Sequence, residues 1–215
     1  MDEKRVTILV GHYGSGKTSL AVSLAKRLRS GGKPVVVADL DIVNPYFRTT
    51  DHRRELEECG IELISSKFAN SNLDIPALPA ELYRMVENKS TYAVLDVGGD
   101  DRGAVALGRY VPSILEEGNY EMMFVTNFFR PLTRTPEDAL DVLHEIEAAC
   151  GIRITMLVNN SNLGKETTVR DVLDTVETME AFSQLCGLPV GFAAVDKRLY
   201  PALKREPGEW IPIDV

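Results

Sequence analysis

The residues with evident chemistry begin at Gly11-His12-Tyr13-Gly14-Ser15-Gly16-Lys17-Thr18, which meet the spacing G-x-x-x-x-G-K-[ST] at every specified position. Glycines at 14 and 16 let the backbone turn its N–H groups inward, forming a nest for an anion. A helix that starts at the end of the loop adds its positive terminus to the same field. In such a loop Gly11, Gly14, Ser15 and Gly16 cradle phosphates, and Ser19 follows on the first helical turn. Lys17 reaches the β- and γ-phosphates of a nucleoside triphosphate, and the Thr18 hydroxyl binds Mg²⁺. The setting fits, because the apolar run Val6–Val10 precedes the loop and a helical pattern, Ser19–Ser30, follows it.

A phosphate-bound Mg²⁺ calls for a carboxylate nearby. Tyr92-Ala93-Val94-Leu95-Asp96-Val97-Gly98-Gly99 supplies Asp96 at the end of an apolar strand, where it would hold the metal's coordination shell directly or through water. Gly98 and Gly99 would let the backbone approach the γ-phosphate and move with it. A second strand ends in Asp39-Leu40-Asp41. Two acids one residue apart at the carboxyl end of a strand can face one side of the chain, toward a ligand crevice. Asp39 is then a support for the metal shell and Asp41 orients or activates the attacking water; turn formation is the plainer use of either. Arg48 follows this segment and is the candidate arginine finger, whereas Arg53 and Arg54 read as surface or ion-pair residues.

These side chains need a scaffold that brings strand ends together. Val6–Val10, Pro34–Ala38, Tyr92–Val97, Glu121–Thr126, Ile154–Val158 and Pro189–Ala194 are continuous apolar runs, the mark of parallel strands covered on both faces. Ser19–Ser30, Pro79–Asn88, Pro136–Cys150 and Thr168–Cys186 read as helices, with stops at Gly31-Gly32, Gly151 and Gly187. The alternation predicts a three-layer α/β fold around a mostly parallel central sheet. The irregular stretch 65–79 is the longest loop, and Trp210 is expected to anchor the tail by packing.

The 215 residues suit one domain, 1–215, and 44% hydrophobic composition is enough to build a core without staples. A net charge of −8 argues against a general nucleic-acid surface. Cys59, Cys150 and Cys186 are scattered, which suits a reducing compartment and offers no iron–sulfur or zinc ligand set. The amino terminus runs straight into a strand and no apolar run is long enough to span a bilayer, so a cytoplasmic setting is expected.

With these motifs placed, the chain resembles the SIMIBI class of P-loop NTPases, which includes the Min/Par partition ATPases, nitrogenase iron protein, the signal-recognition GTPases and nickel-metallochaperone GTPases. The blocks that carry the likeness are Gly11–Thr18, Asp39-Leu40-Asp41 as a first switch, and Asp96-Val97-Gly98-Gly99 as a second. The resemblance implies a parallel sheet of about seven strands, and a homodimer or protein partner docking on the switch loops. It also departs in one place. His12 stands where partition-type members carry a second lysine that crosses to the partner's nucleotide, and a mostly neutral imidazole is a poor replacement for a fixed cation.

Guanine-specific relatives carry an Asn/Thr-Lys-x-Asp motif after a late strand, and Val158-Asn159-Asn160-Ser161-Asn162 has no such lysine–aspartate pair. An asparagine amide can pair with the N6/N7 edge of adenine, and ATPases of the class have an asparagine at the corresponding strand end. Asn160 is therefore the base-binding candidate, ahead of Asn159, with Asp196 as a second wall and ATP as the expected nucleotide. An asparagine-rich turn is the alternative use. The leading expectation is an ATPase switch; a small-molecule phosphotransferase or ligase, with Asn70–Asp74 and Arg102–Arg109 as pocket walls, is the alternative, and a metallochaperone GTPase comes last.

Overall fold

The computed structural model describes residues 3–41, 49–65, 83, 85, 87–99 and 101–214. Arg48, the segment Asn70–Asp74 and nearly all of the 65–79 loop lie outside them. The expected helix at Pro79–Asn88 has only residues 83, 85 and 87 described as helical.

Strands β1 (Val6–Val10), β2 (Val35–Asp39), β3 (Glu62–Ser65), β4 (Tyr92–Asp96), β5 (Tyr120–Thr126), β6 (Met156–Asn159), β7 (Val190–Asp196) and β8 (Trp210–Ile213) form one sheet in the order β3-β2-β4-β1-β5-β6-β7-β8. Every described pairing is parallel. The sheet is longer than the run of apolar segments predicts. Both additions are edge strands: β3 carries the exposed Glu62, and β8 contains a proline.

Helices cover both faces. On one side α1 (Lys17–Ser30) buries Leu20, Ala21, Ala25 and Leu28 against Leu9, Val37, Val94 and Val125. On the other, α3 (Asp101–Gly108), α4 (Val111–Glu117), α5 (Pro136–Cys150) and α7 (Val176–Cys186) pack on Val6, Ile8, Val10 and Phe124. Successive β1 side chains therefore enter opposite cores, which is why the strand is apolar without alternation. The short α2 (Arg53–Glu58) lies beside β3. Helix α8 (Tyr200–Leu203) packs Leu203 with Trp210, whose place in β8 gives it the anchoring role expected.

Helix α5 has the predicted bounds because its ends are written locally. Thr135 and Asp138 form a reciprocal capping box, Pro136 occupies the first turn, and Gly151 closes the helix in the left-handed conformation. The expected helix Thr168–Cys186 instead divides at Thr175 into α6 (Val169–Asp174) and α7. The Thr175 hydroxyl donates to the Val172 carbonyl at 2.7 Å and accepts from Asn159 Nδ2 at 2.9 Å, so a polar tether to the end of β6 replaces helix continuity.

The opposite, amino end of the sheet is held by a buried ion pair between Arg5 and Glu117. The Arg5 guanidinium also donates to the Thr91 carbonyl at 2.9 Å and the Met85 carbonyl at 3.3 Å. The hydrogen bonds from Arg5 are the main cause that holds the Glu117 carboxyl below the usual glutamate range. Its stabilising contribution is present above the ordinary glutamate pKa and disappears as pH falls through the lower folded value. Glu117→Gln should cost roughly 3 kcal/mol in urea unfolding at neutral pH, since it removes the carboxylate charge that pairs with the buried Arg5 guanidinium. The difference from wild type should close on acidification into the carboxylate range.

Candidate nucleotide site

Strand β1 lies between β4 and β5, with Leu9 opposite Asp96 and Val10 opposite Phe124. The loop 11–16 thus emerges at the carboxyl edge of the sheet, where chain order reverses and α/β folds place their ligands. It is a loop that could not be built with larger residues. A Cβ on Gly11 would lie 2.3 Å from the Val125 carbonyl oxygen, and one on Gly16 would lie 2.2 Å from Asn160 Nδ2. Gly16, with φ of 85°, is the N-cap of α1, whose first turn carries no acid and so leaves its positive end for an anion. Lys17 is buried, and its ammonium donates to the carbonyls of Gly11 at 2.8 Å and His12 at 3.2 Å, folded back over the loop. Ser19 is half-buried on the first turn.

The flank toward β4 and β2 carries the acids. Asp96 is fully buried, and its Oδ2 accepts from Thr18 Oγ1 and from Thr49 Oγ1, each at 2.7 Å. Burial is the main cause that raises its pKa; the Lys17 charge and both hydroxyl bonds pull the other way, and the Asp41 charge adds to the rise. Asp39 is the register partner of Asp96 across β2 and β4, and its Oδ1 accepts the Asp41 N–H at 3.0 Å. That contact is the turn geometry which presents Asp41, half-buried, beyond the strand end.

Among the described residues no three acidic, histidine or cysteine side chains converge into a metal cage. What converges is the Thr18 hydroxyl on the Asp96 carboxylate. Oxygen donors of this kind fit a hard ion such as Mg²⁺ that fills the rest of its shell with phosphate oxygens and water. Thr18 and Asp96 would hold it, and Asp39 borders the position from the neighbouring strand.

Gly99 is packed against the phosphate loop itself: a Cβ there would be 2.5 Å from the Tyr13 nitrogen. Gly103, on α3, is required in turn, because its Cβ would be 2.7 Å from the Gly98 nitrogen. On this flank Thr49 and Gly103 are site residues that sequence reasoning misses. Thr49 is one of two adjacent threonines with nothing in their spacing to separate them, and Gly103 reads as an ordinary helix glycine.

The other flank, toward β5 and β6, bonds two successive carbonyls of the loop. Asn160 Nδ2 donates to the Ser15 carbonyl at 2.7 Å, and Arg130 Nε donates to the Gly14 carbonyl at 3.0 Å. The base candidate Asn160 is therefore buried and engaged by the loop, while Asn159 is turned to Thr175. Asp196 pairs with Arg198 beyond β7, at 3.0 Å. His12 folds its Nδ1 to the Tyr13 carbonyl at 3.0 Å. Arg53 binds Ser65 Oγ and pairs with Glu57, and Arg109 is exposed past the end of α3.

No protein-family model matches the chain, and no curated protein matches it either. Solved structures do share its fold. The signal recognition particle receptor FtsY from Elizabethkingia anophelis in complex with GDP superposes with a TM-score of 0.57 at 17% identity, over 91% of this chain and 58% of that one. The cell division protein FtsY from Thermotoga maritima gives 0.58 at 20% identity, over 92% and 64%. The signal recognition particle 54 kDa protein from Aeropyrum pernix in complex with GDP gives 0.54 at 18% identity, over 87% and 40%. The chain thus spans less than two thirds of the length of these proteins. They belong to the SIMIBI class of P-loop NTPases, and the three-layer α/β fold is shared with them. The partition-type likeness remains one of motifs.

Gly99→Ala should lower nucleotide affinity by about tenfold or more, because the loop backbone must retreat from the new methyl group. Titration calorimetry beside a thermal melt separates this loss from global unfolding.

Proposed function

We propose that this chain is a Mg²⁺-dependent nucleoside triphosphatase that acts as a switch for a partner protein or a second copy of itself, with ATP as the preferred nucleotide. The observation that carries the reading is the shared carboxylate oxygen of Asp96. It joins the phosphate loop, through Thr18, to Thr49 at the far end of the first-switch segment. A metal bound together with the γ-phosphate would draw on Thr18 and Asp96, change what holds Thr49, and so alter the surface beyond it. Lys17, the loop N–H groups and the helix end supply the field for in-line attack, and Asp41 orients the water.

The adenine preference rests on the missing lysine–aspartate pair after β6, since the Asn160 amide is itself bonded to the Ser15 carbonyl, and the two GDP-bound neighbours make guanine the competing outcome. Among the described residues no helix is long and apolar enough to cross a membrane. A single nucleotide-binding domain in the cytoplasm, with Cys59, Cys150 and Cys186 as free thiols and no iron–sulfur cluster, goes with this reading.

Calorimetric titration of ATP and GTP with Mg²⁺, with light scattering to follow association, tests it. Lys17→Ala should abolish binding, and Asp41→Ala should keep binding while losing hydrolysis. Strong GTP preference would sink the adenine assignment, and unchanged turnover in Asp41→Ala would remove the water-orienting role. Phosphate release that requires an added metabolite would favour a phosphotransferase.

A further inference from the structure

Arg130 lies outside every motif in the sequence, and its position is nonetheless fixed with care. It follows β5, the strand that flanks β1 on the side away from Asp96. Its own N–H donates to the Asn127 carbonyl at 3.0 Å, and the Thr133 hydroxyl donates to that same carbonyl at 2.7 Å. Asn127 Oδ1 accepts from the Phe129 N–H at 3.1 Å, while Asn127 Nδ2 donates to the Asn162 carbonyl at 3.0 Å. The Phe128 N–H donates to Ser161 Oγ at 3.0 Å, so the turn is laced to the loop after β6. Pro131 then holds Arg130 in an extended backbone, with φ of −96° and ψ of 140°.

From that base the exposed side chain crosses to the phosphate loop, where Nε bonds the Gly14 carbonyl and the guanidinium lies 3.5–3.9 Å from where a Gly14 Cβ would be. Among the described residues its two terminal nitrogens have no protein partner. One edge of a five-donor fork is thus spent on positioning, and the other edge is left facing solvent beside the loop.

The electrostatics give this placement a use. A bound polyphosphate would stand beside Asp39, Asp41 and Asp96 in a chain of net charge −8, and Lys17 is the one cation among residues 11–18. Position 12, where partition-type proteins place their second lysine, holds a histidine whose ring is turned to the Tyr13 carbonyl. The geometry points to Arg130 as a second phosphate-binding cation supplied by the same chain, contacting the polyphosphate of the bound nucleotide from the β5 side. This inference rests on the nucleotide reading above. Because Arg130 comes from within the chain, it would add charge at the phosphates without a dimer partner, and a guanidinium keeps that charge at any physiological pH.

The test is calorimetric titration of the full chain and its Arg130→Ala and Arg130→Lys variants with the tri-, di- and monophosphates of the purine that the wild type prefers. Arg130→Ala should weaken tri- and diphosphate binding by about tenfold or more, as expected for loss of a charge-assisted contact, and change monophosphate binding far less. Arg130→Lys should recover part of the loss, and both variants should melt with the wild type, since the side chain is exposed. Triphosphate affinity unchanged in Arg130→Ala overturns the inference, as does an equal loss for mono- and triphosphate. A wild-type chain that binds neither ATP nor GTP overturns the nucleotide reading and this one together. Normal binding by the wild type with equal binding by Arg130→Ala overturns this one alone.

Discussion

The carboxylate of Asp96 is the constraint around which the candidate nucleotide site is arranged. A buried acid must be compensated by hydrogen bonds or charge, and here the compensation comes from three residues in two separate parts of the chain. Lys17 and Thr18 belong to the glycine-rich loop after β1, and Thr49 lies ten residues beyond the end of β2 in sequence. None of the three is near Asp96 in sequence. They meet because β4 is inserted between β1 and β2, so that strand ends from the first and second βα units flank it. Satisfying one buried oxygen therefore ties together the loop that would hold phosphate and the segment that would respond to it.

Backbone closeness is the second requirement. Gly11 packs on the Val125 carbonyl, Gly16 on the Asn160 amide and Gly99 on the Tyr13 backbone. In each case a methyl group would collide with a main-chain or amide atom that has little room to move. The same lack of side chains exposes the loop carbonyls, and Arg130 and Asn160 take the carbonyls of Gly14 and Ser15. Because N–H and C=O of a trans peptide point in opposite directions, bonding the Ser15 carbonyl outward helps direct the following N–H into the nest. The β4 side thus offers oxygen ligands, and on the β5–β6 side Arg130 and Asn160 hold the loop by its carbonyls.

Elements governed by short-range signals were legible in the sequence. β1, α1 and α5 are bounded by glycine, proline or a capping box, and a continuous apolar run has one good solution in a parallel sheet. Edge strands β3 and β8 were not legible, because one mixes exposed glutamate with apolar residues and the other contains proline. The break at Thr175 was hidden for a different reason. Local propensity favours continuing the helix, and the opposing bond comes from Asn159, sixteen positions away in sequence.

The sequence by itself determined the glycine-rich loop at 11–18, the six inner strands, helices α1 and α5, and the aspartates at 39, 41 and 96, because each depends on residues close together along the chain. Only the tertiary structure decided which oxygen of Asp96 serves two threonines, that Gly99 must be bare against Tyr13, and that Arg130 reaches the loop from 116 residues away. Those facts depend on which strands are neighbours at the carboxyl edge of the sheet. Strand adjacency is set by burying both faces of the whole sheet at once, and no local stretch of residues encodes it.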